Sequence, residues 1–224
     1  MSIFHKLTDP EAALKVQSAD SLIAVVRRCG IIPFFENALP GYSIEEMTPA
    51  EHWFDGDSLG PWDWKIAAVQ TGEIAYGKFL CGGKAAFATA QVYRDLLNWR
   101  RAQPKYALRV SDRPAYEAIA EAGSLMTREL RRICGLKKAQ MDAVTTRLEQ
   151  QTRLVIGDFE RVYKGQALEY SGWQLASLCR PEDLFEYDLD APGRSPEASY
   201  ERLCARIRET VPDATDAQLR RLLG

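Results

Sequence analysis

The stretch between Pro114 and Ala176 constrains this chain most. Pro114 to Ala122 has helical character and is closed by Gly123. Thr127 is placed to cap a second helix, with Glu129 in its first turn where the helix dipole favours an acid, and Gly135 ends it. Lys137 to Thr152 forms a third helix, with Met141, Val144 and Leu148 on one face at helical spacing. Leu154 then opens a strand that can run to Val162. Lys164-Gly165-Gln166 supplies a turn, and Gly172 to Ala176 supplies a partner strand. Three helices followed by a two-stranded hairpin is the order of a winged helix-turn-helix. The expected fold class is therefore α+β, with a winged helix-turn-helix over residues 106–180.

Charge follows the same boundary. The 224-residue chain carries a formal net charge of -2, which gives no global sign of a polyanionic partner. From Arg94 to Arg153, however, 13 Lys and Arg stand against 7 Asp and Glu. Residues 1–93 hold 7 against 11, and residues 182–224 hold 6 against 10. A basic patch confined to one region is the electrostatic footprint expected of phosphate contact, although a solvated helical face has the same composition. With Met141, Val144 and Leu148 inward, Lys138, Asp142, Thr146 and Arg153 face outward, flanked by Gln140, Arg147 and Gln150. Lys138, Gln140 and Arg147 are the expected DNA contacts of the third helix, and Lys164 that of the hairpin tip. Asp142 and Glu149 would repel DNA locally.

Residues 1–105 have the pattern of an α+β unit containing a small antiparallel sheet. Asp9 and Pro10 suit the start of a helix running to Cys29, with Gly30 after its end. Ile31 to Phe35 is a short apolar run, and Pro33 assigns it to a sheet edge. Ser43-Ile44-Glu45-Glu46 is a capping box opening a short helix. Residues 55–61 have loop composition. Ile66 to Gln70 and Glu73 to Leu80 are expected to be strands joined at Thr71-Gly72, with Lys84 to Thr89 as a third, followed by a helix from Gln91 to Arg101. Residues 181–224 form an acidic helical tail expected to pack back on the body, with helices over Ser195 to Thr210 and Asp213 to Leu223.

Gly60-Pro61-Trp62-Asp63-Trp64-Lys65 is a rare local composition. An enzyme that acts on a base must extrude it, stack it on aromatic rings and place a carboxylate near the glycosidic bond. On that reading Asp63 is the catalytic candidate, and Trp62, Trp64, Lys65, Tyr76 and Lys78 line the pocket. Aromatic clusters are more often core, so anchoring rings with capping or ion-paired Asp63 and Lys65 is the competing reading. Glu51-His52-Trp53 is a weaker acid/base candidate.

Five cysteines at wide spacing and two histidines form no metal-ligand or disulfide pattern, so no metal, no cofactor and reduced cytosolic thiols are expected. No apolar run reaches the roughly 20 residues that span a bilayer, and the first residues lack the pattern of a signal peptide, so a cytoplasmic location without membrane contact is expected. Phosphate-binding glycine loops, nucleophile elbows and zinc-protease motifs are absent from the sequence.

The segments Pro40-Gly41-Tyr42-Ser43, Gly60 to Lys65, Tyr76-Gly77-Lys78-Phe79, Asn98-Trp99-Arg100-Arg101 and Thr146 to Thr152 resemble the AlkZ-related proteins. Across residues 31–180 the chain is similar to that group, and more distantly to winged-helix proteins of the AlkZ/YcaQ type. The resemblance implies a winged-helix, DNA-associated protein. AlkZ glycosylases excise alkylated bases without a metal through a QxQ or QxD motif. Gln150-Gln151 has a different spacing, so no catalytic residue is carried over. The leading expectation is a protein that binds double-stranded DNA, linked to repair. A metal-independent base glycosylase acting on alkylated or crosslinked DNA is the second, and a non-enzymatic protein-interaction module the third.

Overall fold

The computed structural model describes residues 14–54, 59–160, 163–164, 169–170, 174–185, 189 and 193–224. In chain order it begins with α1 (Ala19–Cys29), β1 (Ile31–Pro33), α2 (Ile44–Met47), α3 (Pro61–Gln70), β2 (Ile74–Gly77), β3 (Ala86–Thr89) and α4 (Ala90–Arg101). It continues with α5 (Arg113–Ala122), β4 (Ser124–Met126), α6 (Thr127–Cys134), α7 (Lys138–Gln150) and β5 (Val155–Glu160). The two-residue strands β6 (Tyr163–Lys164) and β7 (Glu169–Tyr170) precede β8 (Leu175–Cys179), α8 (Pro181–Leu184), α9 (Pro196–Arg208) and α10 (Asp216–Leu223).

The architecture is α+β, built on one six-stranded sheet in the order β1-β3-β2-β5-β8-β4, every neighbouring pair antiparallel. The strands of the first hundred residues thus do not form a separate small sheet. They join the C-terminal hairpin through a single pairing, Tyr76 with Ile156. No local pattern encodes that seam, because one cross-strand pair leaves no period in the sequence. A second, two-stranded sheet pairs β6 with β7.

Two apolar clusters hold the sheet. Leu22, Val26, Ile31, Phe34, Phe87 and Leu96 belong to the larger one. Ala115, Ile119, Leu130, Met141, Val144, Leu148, Leu154 and Leu178 form the other, closing α5, α6 and α7 over β8. Met141, Val144 and Leu148 are buried as their spacing predicts. Fully burying one such side chain contributes about 1.5–3 kcal/mol, so either cluster outweighs any single cap or surface ion pair.

Helix ends follow their capping chemistry. Ser43 Oγ accepts from the Glu46 amide at 3.1 Å, opening α2. Gly123 and Gly135 take φ of 78° and 64° after α5 and α6, a backbone region that other residues enter at a cost. Two expectations are corrected. Helix α1 starts at Ala19, where the Ser18 hydroxyl accepts from the Ser21 amide at 3.2 Å, rather than running on from Pro10; the proposed Asp9–Pro10 cap lies outside the described residues. Residues 66–70 are helical, not a strand. Pro61 at the first helical position and the Gly60 turn start α3, whereas a short apolar run by itself fits helix and strand equally.

Smaller shifts occur nearby. Met126, not Thr127, is the residue preceding α6, and the Glu129 carboxylate accepts from its amide at 3.0 Å. The return strand of the hairpin is Leu175–Cys179, which runs past the expected end at Ala176, while Gly172 and Trp173 lie outside the described residues. The expected turn residues Gly165 and Gln166 lie outside the described residues, as do positions 55–58 of the expected loop.

The last helices pack on α4. Asp95, buried on α4, accepts from Arg194 Nη1 at 2.6 Å, Ser199 Oγ at 2.9 Å and Arg202 Nε at 3.2 Å. Arg100 is fully buried. Its guanidinium donates to the carbonyls of Phe79 and Gln150 at 2.6 Å each, and to that of Leu223 at 2.7 and 3.0 Å. Gln150 ends α7 and Leu223 ends α10, so one cation faces the negative ends of two helix dipoles. It also sits 4.6 Å from the centre of the Tyr106 ring. No helix among the described residues is long and apolar enough to cross a membrane.

Candidate nucleic-acid interface

Helices α6 and α7 meet at the tight turn after Gly135, which turns their facing ends outward together. Arg128, Arg131, Arg132, Lys137 and Lys138 are all exposed there. Among the described residues none of the five makes an ion pair. A cluster without ion-pair partners keeps a positive field for an approaching anion, opposed locally by Asp142. Beside it, Met126, Met141, Leu175 and Ala176 floor a groove of about 270 Å³, with Arg128, Arg131, Lys138 and Asp142 around it. Sequence reasoning misses the three arginines of α6. Their signal is the same local excess of positive charge, which helical spacing alone assigns to the third helix.

The expected contact residues fall in different settings. Lys138 and Gln140 lie on the exposed first turn of α7. Gln140 Oε1 accepts from the Lys137 amide at 3.0 Å, which fixes that turn. Arg147 lies in the last turn of α7 and makes a two-pronged pair with Asp112, Nε to Oδ2 at 2.9 Å and Nη2 to Oδ1 at 2.7 Å. The Arg147 guanidinium holds the Asp112 carboxyl below the usual carboxylate range, against the opposing effect of burial. This pair ties α7 to the start of α5. The Lys164 backbone lies in β6, and its side chain is outside the described residues.

One side of the C-terminal half of α7 faces the N-terminal strands. Glu149 is buried, and its Oε1 accepts from the Lys78 amide at 3.0 Å. Burial pushes its carboxyl up to about 7, with the Lys78 amide and ammonium opposing the shift. Lys78 Nζ reaches Thr146 Oγ1 at 3.5 Å. Gly77 leaves room for the carboxylate: a Cβ there would stand 2.7 Å from Glu149 Oε1.

The other candidates surround the first turns of α3. The Asp63 carboxylate accepts from the Leu59 amide at 2.8 Å, which makes it a local brace at the helix entrance. Trp62 packs on Phe34, with ring centres 5.1 Å apart, and on Phe35 at 5.8 Å. Trp64 instead lies 6.1 Å from the His52 ring. Lys65 Nζ lies 4.5 Å from the centre of the Trp62 ring and 5.3 Å from that of Phe159. Burial lowers the Lys65 ammonium to about 8, with Asp63 pulling the other way. Tyr76 is buried against Phe87 and Phe159, with its phenol pushed up by burial and then by Glu149.

Cross-strand partners project to the same face of a sheet. Tyr76 stands opposite Ile156, Ile156 opposite Leu178, and Phe159 opposite Ala176. Leu178 packs under α5 to α7, Ala176 lines the cationic groove, and Phe159 lies beneath Lys65. The Phe159–Ala176 pair therefore joins the strand beneath Lys65 to a strand that lines the groove.

Fold and surface together define an α+β protein with an unpaired cationic edge beside a sheet-lined groove. The chain belongs to the AlkZ-related family, whose family model, described as "AlkZ related", matches residues 16–224. That membership links it to DNA repair. Comparison with curated proteins and with solved structures gives no match.

Proposed function

We propose that the chain is a DNA-binding protein in which residues 113–179 act as a winged helix-turn-helix. The order α5-β4-α6-α7-β5-β8, with β4 paired to β8 and β8 to β5, supports that reading. The observation that carries it is the set of five unpaired, exposed cations at the junction of α6 and α7. The accessible part of α7 is its N-terminal turn, the part of a recognition helix that meets base edges. Lys138 and Arg128 meet phosphates, and Gln140 sits where an amide can read a base. Lys164 meets backbone from the hairpin. Arg147 holds α7 in register through Asp112.

Fluorescence anisotropy with a duplex across a salt series tests this. The combined variant Arg128→Ala, Arg131→Ala and Lys138→Ala is expected to bind weakly. Its log–log salt dependence should flatten by roughly 0.9 for each phosphate it no longer neutralises. A wild-type protein that ignores duplex at low salt, or a variant with an unchanged slope, would refute the proposal.

Base excision is a second reading, favoured by the family match. It expects base release from an alkylated duplex, lost in Asp63→Asn. The Leu59 contact gives Asp63 another expected effect. Asp63→Ala should cost about 1 kcal/mol in a denaturant titration, and Asp63→Asn much less, because an amide oxygen can still accept. Base release persisting in Asp63→Asn would leave Asp63 as a helix brace alone.

A further inference from the structure

Lys65 is an amine with no conventional partner. Its Nζ stands over two rings, makes no hydrogen bond or ion pair within the described residues, and is partly withdrawn from water. The carboxylate two positions earlier, Asp63, is turned to the Leu59 amide. A lysine that merely decorated a surface would extend into solvent, where its ammonium is best hydrated. Here the amine sits over the rings of Trp62 and Phe159, and Phe159 in turn packs on Tyr76. Through the Phe159–Ala176 pair the cluster adjoins a strand that lines the cationic groove.

We propose that Lys65 is a nucleophilic amine that captures the aldehyde of an abasic deoxyribose in DNA held along the groove. The proposal rests on the DNA-binding reading for delivery of the substrate, and its chemistry is separate. An abasic sugar in its open form carries an aldehyde at C1′. The neutral Nζ adds its lone pair to that carbon, and one amine proton passes to the carbonyl oxygen. Loss of water, which carries away that oxygen and both protons first held on Nζ, then leaves an imine between Nζ and C1′, and nothing is oxidised or reduced. Desolvation makes this amine available, because a lysine shifted to about 8 is neutral in a useful fraction near neutral pH, unlike one at its ordinary value of 10.5. The rings of Trp62 and Phe159 cover the flat imine and exclude water that would hydrolyse it.

Reductive trapping tests this on the full chain. The protein is incubated with a duplex carrying one abasic site and sodium cyanoborohydride, which reduces an imine to a stable secondary amine. The adduct is then mapped by peptide mass spectrometry. A crosslink at Lys65 is expected, with yield falling by at least roughly tenfold in Lys65→Arg and Lys65→Met. Arginine keeps the charge over the rings but cannot form the imine, and methionine keeps the apolar stem. Thermal melting of both variants shows that they are folded. A parallel trap with 2-deoxyribose 5-phosphate needs no duplex binding, so it separates failure of the amine from failure of DNA delivery. No adduct from either probe, an adduct on a different lysine, or undiminished yield in folded Lys65→Met would overturn the proposal.

Discussion

Replacing Arg100 with methionine is expected to lower the free energy of unfolding by roughly 3–5 kcal/mol, because three carbonyls lose their donor at about 1–3 kcal/mol each before relaxation. The guanidinium serves three separate carbonyls, those of Phe79, Gln150 and Leu223. Methionine fills the volume of the stem and supplies no donor. The carbonyls at the ends of α7 and α10 would then lie buried with unmet acceptor capacity, which costs about 1–3 kcal/mol each before relaxation. Lysine is a poor substitute, since its single ammonium cannot span acceptors set around a planar fork. Arg100→Lys should recover less than half of the loss. Urea unfolding followed by circular dichroism measures both variants. A loss below about 1 kcal/mol for Arg100→Met would show that the neighbouring backbone finds water or other donors.

A second large effect concerns acidity. In the folded chain Glu149 titrates near 7, against a reference of 4.5 for the exposed side chain. Between those values the folded state holds a proton that the unfolded state has released. Stability therefore falls as pH rises through this window, the reverse of the behaviour of a salt-bridged carboxylate. The gap corresponds to roughly 3 kcal/mol once pH exceeds 7, at about 1.4 kcal/mol per pH unit. Glu149→Gln removes the titration and keeps an oxygen for the Lys78 amide. The difference in stability between wild type and Glu149→Gln should shift by approximately this amount in favour of the variant from pH 4.5 to pH 8. Denaturant titrations at several pH values measure it, and parallel pH profiles for the two proteins would exclude an uncharged Glu149 below neutrality.

These two residues also mark what sequence could not reveal. Helices α5, α6 and α7 were legible because Met141, Val144 and Leu148 repeat at helical spacing and Gly123 and Gly135 punctuate the ends. The capping residue Ser43 was legible for the same local reason. Arg100 had the pattern of an ordinary basic helix end, since its acceptors lie 21, 50 and 123 positions away in the chain. Glu149 looked like an outward acid, since nothing near it in sequence announces Gly77 and Lys78 across the seam. The pairing of Arg147 with Asp112 spans 35 positions and was equally hidden. Residues 66–70 failed for another reason: five apolar-rich positions are too few to separate a period of two from one of 3.6. At the candidate site, sequence located the basic segment and the tryptophan-rich turn. It could not show that the exposed cations extend onto α6, or that Phe159 meets Lys65 from a strand almost a hundred residues on.

The margins of the six-stranded sheet have a bearing on how this chain meets others. Its outermost strands, β1 and β4, are three residues each, and β1 ends in Pro33, which has no amide hydrogen to offer. Such blunt borders give an incoming strand almost no backbone ladder to extend. Association by sheet continuation, the common route to runaway polymerisation, is thereby discouraged at both rims. Recognition falls to side chains, and among the described residues a dense set without ion pairs, at the junction of α6 and α7, is positively charged.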